Sequence, residues 1–143
     1  MSLKLTVAGK PIAQARPRFV RRGKFVSAYS PQETEAGRFA LSVMAQLPEG
    51  FKRIEGPVEM NCIFDMPIPS STSKKNREAM VRGGIMHTKK PDLDNLVKFC
   101  KDCLKNIVWV DDSQVVQLIA TKRYSELGLT QIYINDLDNP DPG

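Results

Sequence analysis

Acidic residues are missing from the first 27 positions of this 143-residue chain, histidine occurs once (His87) and tryptophan once (Trp109). Long apolar runs are missing as well: nothing approaches the ~20 residues of a membrane-spanning helix, and the N-terminus lacks the apolar core of a signal peptide. A cytoplasmic protein with no membrane partner is the expectation. Cysteine is scarce and odd in number, at three, which speaks against a disulfide framework. Cys100 and Cys103 form a CxxC pair that Cys62 and His87 would be needed to complete as a metal site. Cys100, however, falls on the apolar stripe of a helix, and no second CxxC is present, so core packing is the expected role.

What the chain does have is an uneven distribution of charge. The composition, 41% hydrophobic and 26% charged, suits one globular domain with its own core, and the net charge of +5 favours an acidic partner. Residues 1–27 carry Lys4, Lys10, Arg16, Arg18, Arg21, Arg22 and Lys24, and residues 74–90 carry Lys74, Lys75, Arg77, Arg82, Lys89 and Lys90 against Glu78 alone. Between residues 91 and 112, by contrast, stand Asp92, Asp94, Asp102, Asp111 and Asp112. Basic flanks around a carboxylate cluster are what chemistry on a phosphodiester backbone needs, with cations holding phosphates and carboxylates holding a divalent metal.

The residue pattern predicts an α+β domain over residues 1–134, a mixed sheet of about four or five strands packed with two main helices, followed by a disordered acidic tail over 135–143. Leu3, Leu5 and Val7 alternate as a first strand. The basic stretch from Arg16 to Val26 reads as a hairpin or extended loop. A capping pattern at Ser30–Glu33 opens a helix over about 31–47, and Val58, Met60, Cys62 and Phe64 alternate as a strand. A short helix over 73–81 ends at Gly83-Gly84 inside a long basic loop. Leu93, Leu96, Val97, Cys100, Leu104 and Ile107 share one face of a second main helix. Residues 115–124 and 129–134 read as two strands paired around Glu126-Leu127-Gly128.

Asp92 and Asp94 lie two residues apart just before that second helix, so in extended chain they point the same way. Lys98 is four residues beyond Asp94, a neighbour on the helix face. Asp111-Asp112 follows where the chain turns back toward the next strand. An acidic cluster without compensation repels itself, and hard oxygen donors of this kind suit Mg²⁺ or Mn²⁺. Helix caps and a turn account for the same spacing equally well, so spacing alone leaves both readings open.

The segment Lys90-Pro91-Asp92-Leu93-Asp94-Asn95-Leu96-Val97-Lys98, with Val110-Asp111-Asp112-Ser113-Gln114-Val115-Val116 downstream, closely resembles the RusA family of Holliday-junction resolvases, and Gly9-Lys10-Pro11 with Arg16-Pro17-Arg18-Phe19 resembles the opening of its phage and prophage branch. The resemblance implies a crossover junction endodeoxyribonuclease of recombination and repair, in a prokaryotic or phage-infected cell. It implies catalytic and metal-binding roles for Asp92, Asp94 and Asp112, a lesser role for Asp111, and an activity role for Lys98, which either stabilises the developing charge or orients the water. It further implies Mg²⁺, with Mn²⁺ as substitute, no nucleotide cofactor, branched DNA as partner and a homodimer. Arg16, Arg18, Arg21, Arg22, Lys24, Lys74, Lys75, Lys89 and Lys90 are the candidate DNA contacts.

Two other readings stand beside it: a nuclease of the same fold acting on forks, flaps or packaging intermediates, and a non-catalytic DNA-binding protein whose aspartates are caps. Phe19 and Phe25, interleaved with arginines, suit either stacking at an opened junction or packing on the sheet. His87 is expected in solvent or on a phosphate, and Trp109 as a core anchor.

Overall fold

A computed structural model describes residues 1–15, 18–22, 25–29 and 33–142; of 18–22, 25–29 and Glu33 it describes the backbone. In chain order the elements are β1 (Ser2–Ala8), β2 (Arg18–Arg22), β3 (Phe25–Tyr29), α1 (Glu33–Gln46), β4 (Val58–Pro67), α2 (Lys74–Arg82), α3 (Leu93–Leu104), a 3₁₀ turn (Asp112–Gln114), β5 (Val115–Ser125) and β6 (Leu129–Asp136). The architecture is α+β: a mixed four-stranded sheet in the order β1-β6-β4-β5, three helices and a separate β2–β3 hairpin among the described residues.

Alternation decides which sheet face is covered. Strands β4 and β6 bury every second residue, so Met60, Cys62, Phe64, Ile132 and Ile134 enter the core with Leu3 and Leu5 of β1. In register, Leu5, Ile132, Cys62 and Ala120 form one row across all four strands, and Leu3, Ile134, Met60 and Leu118 form the next. Helix α3 turns Leu96, Val97, Phe99, Cys100, Cys103 and Leu104 inward, and α1 adds Phe39 and Val43. Burial of each large side chain contributes roughly 1.5–3 kcal/mol, which fixes α3 firmly in place. Its exposed N-terminal turn can then carry polar side chains without loss of packing.

The sequence suggested that β5 and β6 pair with each other; the structure places β4 between them, parallel to β5 and antiparallel to β6. Two strand spacings of about 4.8 Å are within reach of a three-residue link, so Glu126-Leu127-Gly128 crosses over β4 instead of closing a hairpin. Helix α3 ends at Leu104, short of Ile107, because the chain turns at Asn106 (φ +68°). Strand β6 claims Asn135 and Asp136 from the segment read as a tail, and Leu137 N–H donates to Pro57 O at 3.0 Å.

Candidate active site

The acids occupy two places, the entrance of α3 and the turn before β5. Asp92 is the N-terminal cap residue of α3 in extended conformation, yet its side chain makes no capping hydrogen bond. Its Oδ1 instead accepts from Lys90 Nζ at 2.9 Å, an exposed pair that contributes little to stability. Asp94, in the first helical turn and exposed, accepts from the backbone N–H of Asn95 at 3.0 Å. Neither carboxylate is therefore tied up as a helix cap bonded two or three residues ahead.

The second place divides its labour. Asp111 is the true cap: Oδ2 accepts from Ser113 N–H at 3.0 Å, while Oδ1 meets Lys105 Nζ at 3.4 Å. The Ser113 hydroxyl and amide, then Lys105, pull its carboxyl down to about 2. Asp112 is half-buried, and its Oδ1 accepts from the indole N–H of Trp109 at 2.9 Å. Trp109 is fully buried, the core anchor expected of it. Below this turn Gln114 does what the sequence did not advertise. Its Oε1 accepts from Val110 N–H (2.9 Å) and Asp111 N–H (2.8 Å), and its Nε2 donates to Ile54 O (2.7 Å) and Gly56 O (2.9 Å).

Lys98 stands between the two places. Its Nζ lies 3.0 Å from Asp102 Oδ1, so its ion pair is with the acid one turn ahead, while Asp94 lies one turn behind. Asp102, by hydrogen bond and by charge, raises its ammonium above the ordinary lysine value, with a smaller contribution from Asp112.

Exposed basic residues lie on the elements that precede the acids in the chain. Lys74, Lys75, Lys89 and Lys90 are exposed on α2 and the loop that leads into Asp92. The segment before the hairpin is held at the acids: Gln14 N–H donates to Asn95 O at 2.9 Å, so residues 12–15 cross the first turn of α3. Arg18, Arg21 and Arg22 follow on β2 with only their backbone described, as does Phe19; Phe25 is likewise on β3; Arg16 and Lys24 lie outside the described residues. His87, expected in solvent, packs its ring on Tyr124 at 4.7 Å because the loop folds back on β5. Burial and the nearby ammonium of Lys122 lower its pKa. The thiols are core residues: all three are buried and unpaired, and burial raises Cys62 to about 12 and Cys103 to about 11.

Comparison with known proteins decides the family. The family model described as endodeoxyribonuclease RusA matches residues 8–135, a span that runs from the end of β1 through both acid places into β6. The chain belongs to the RusA family. A similar protein, uncharacterized protein YqaN of Bacillus subtilis (strain 168), is 38% identical over 138 residues, covering 94% of this chain and 96% of that one. RusA membership makes the chain a nuclease of a family that acts on branched DNA junctions. No described helix is long and apolar enough to cross a membrane.

The donor chemistry of these acids is suited to a divalent metal. Asp92, Asp94 and Asp112 are hard oxygen donors, each using one carboxylate oxygen on a single local partner. Among the described residues, no three acid, histidine or cysteine side chains converge as they stand into a metal-holding group. The partners of Asp92 and Asp94 are an exposed lysine and an adjacent amide, both of which a rotation about the side chain releases.

Proposed function

We propose that this RusA-family protein resolves four-way DNA junctions by Mg²⁺-dependent, paired symmetric cuts in recombination and repair, working as a homodimer. The observation that carries the reading is that Asp92 and Asp94 sit at a helix entrance without capping it, while the neighbouring Asp111 performs the cap that Asp112 is spared. Asp92, Asp94 and Asp112 would hold the metal, with Asp111 as a further candidate. When bound, Mg²⁺ or Mn²⁺ lowers the pKa of a coordinated water and neutralises charge on the phosphate.

The protein's own groups account for the remainder. Exposed Lys74, Lys75, Lys89 and Lys90 and the arginines of β2 hold the phosphates of the arms, a sequence-independent grip. Lys98, kept protonated by Asp102, sits one turn from Asp94 and within the field of Asp112, where it stabilises charge developing on the scissile phosphate or orients the attacking water.

A junction has approximate two-fold symmetry and needs two nicks, so two equivalent sites in one assembly suit it. Support for self-association comes from β5, one of the two outer strands of the sheet, which exposes Val116, Leu118 and Ile119 at 63%, 45% and 49%. An outer strand that leaves large apolar residues uncovered is prone to pair with another chain.

The test is cleavage of a four-way junction, a fork, a flap and linear duplex of one sequence, with Mg²⁺ and with EDTA. The proposal expects paired symmetric cuts in the junction and none with EDTA. Faster cutting of forks or flaps would assign the same chemistry to another branched substrate. Tight binding without any cut would support the non-catalytic reading.

A further inference from the structure

Lys122 carries no role in the junction chemistry above, yet its ammonium makes two hydrogen bonds to the backbone of the segment that leads into Asp92. It stands on β5 in register with Phe64, on the helix-covered face of the sheet and half-buried. Its Nζ donates to Lys89 O at 2.8 Å and to Pro91 O at 3.0 Å, the carbonyls two residues apart on the strip of chain that ends in Asp92. Two residues along the same face, Tyr124 receives the His87 ring, so the loop from 87 to 91 lies against Lys122 and Tyr124 in turn.

The other end of this strand begins at Val115, immediately after the 3₁₀ turn that carries Asp112. One strand therefore bears both halves of the acid set, Asp112 through the covalent chain and Asp92 with Asp94 through the Lys122 clamp. We infer that Lys122 is a positioning residue of the nuclease site, fixing the Asp92–Asp94 segment at its working distance from Asp112. An ammonium suits the task because it supplies three donors at the end of a long stem. Two of them are used on backbone oxygens that no regular element satisfies, and hydrogen bonds from a charged donor are the stronger class. The inference rests on the proposed nuclease reading and extends it to a residue that touches neither metal nor DNA.

Lys122→Met removes the donors and keeps the stem, and Lys122→Arg restores charge and donors. Three measurements are made on each full-length variant: amide hydrogen exchange over residues 87–95, junction affinity in Ca²⁺, and the single-turnover cutting rate in Mg²⁺. Lys122→Met is expected to lose exchange protection in that segment and to cut about 10²-fold more slowly, the order of loss for misplaced reacting groups, with junction affinity unchanged and with Lys122→Arg recovering most of the rate. Unchanged exchange and rate would overturn the inference. So would a rate that falls only in step with affinity, since Lys122 would then be a phosphate contact. Should Lys122→Met not fold, Lys122→Gln, which keeps a donor at shorter reach, is read by the same criteria. If wild-type protein cuts no branched DNA, the nuclease reading fails, while the exchange data still judge the clamp.

Discussion

The indole of Trp109 holds Asp112 from inside the core: Nε1 donates to Oδ1 at 2.9 Å, and the ring that delivers the bond is completely buried. The acid's position is thereby coupled to packing between α3 and the sheet. Asp112→Asn retains an oxygen to accept that bond and loses only charge, so urea denaturation should find it close to wild type while cutting is lost. Trp109→Phe does the reverse, deleting the donor and leaving a cavity, and should cost about 1–3 kcal/mol of stability together with a reduced cutting rate. Equal stability losses in the two variants would mean that the bond is incidental.

Gln114 makes four hydrogen bonds to backbone groups of two separate segments, residues 110–111 and 54–56. Gln114→Ala leaves those groups to solvent or to nothing, at about 2 kcal/mol or more when buried partners are stranded. Gln114→Glu keeps the acceptor but sets a carboxylate oxygen against the Ile54 and Gly56 carbonyls, so it should lose at least as much as alanine. Chemical denaturation of both variants measures the order.

These residues also mark where the sequence stopped being informative. The face of α3 and the alternation of β4 and β1 were legible because burial has a period of its own along the chain, whereas the short helix before Gly83, which buries none of its residues, was legible from its glycine stop. Pairing order was not legible: β5 lacks clean alternation, since as an outer strand it exposes Val116, Leu118 and Ile119, and proximity in sequence favoured a hairpin with β6. The acids were visible as a cluster, but which one caps could not be read from Asp111-Asp112, because either residue chemically suits the role. The partner of Lys98 could not be read either, because helix spacing offers Asp94 one turn behind and Asp102 one turn ahead. Gln114 and Lys122 act through backbone carbonyls and amides, which leave no mark in a pattern of side chains. The one hint of Lys122 is a lysine of the same parity as Leu118 and Ala120, facing the covered side of the sheet.

The three thiols should resist alkylation in native protein at pH 8, because burial holds Cys62 near 12 and Cys103 near 11 and keeps Cys100 higher than its ordinary value. A folded pKa raised over the unfolded one stabilises the fold below the unfolded value, and that contribution is lost as pH rises through the folded value. Thermal stability should accordingly decline from about pH 9 upward, between the ordinary thiol value of 9.0 and the raised ones. Replacing the three by alanine or valine should flatten that decline. Rapid labelling of native protein at pH 8 would show that the thiols are accessible.

Sedimentation at micromolar concentration should find a dimer, and Leu118→Lys, which places charge on the exposed apolar part of β5, should shift it toward monomer. A dimer untouched by that change and by Val116→Lys would put the contact elsewhere on the surface.

The most direct test of the whole account is the single-turnover cutting of a four-way junction by Asp94→Asn at saturating enzyme. The exposed side chain of Asp94 leaves the fold little dependent on its charge, so folding and junction binding should persist, whereas cutting in Mg²⁺ should fall by at least about 10²-fold, as when a metal ligand or charge-stabilising group is removed. Junction cutting at the wild-type rate by Asp94→Asn would contradict the account.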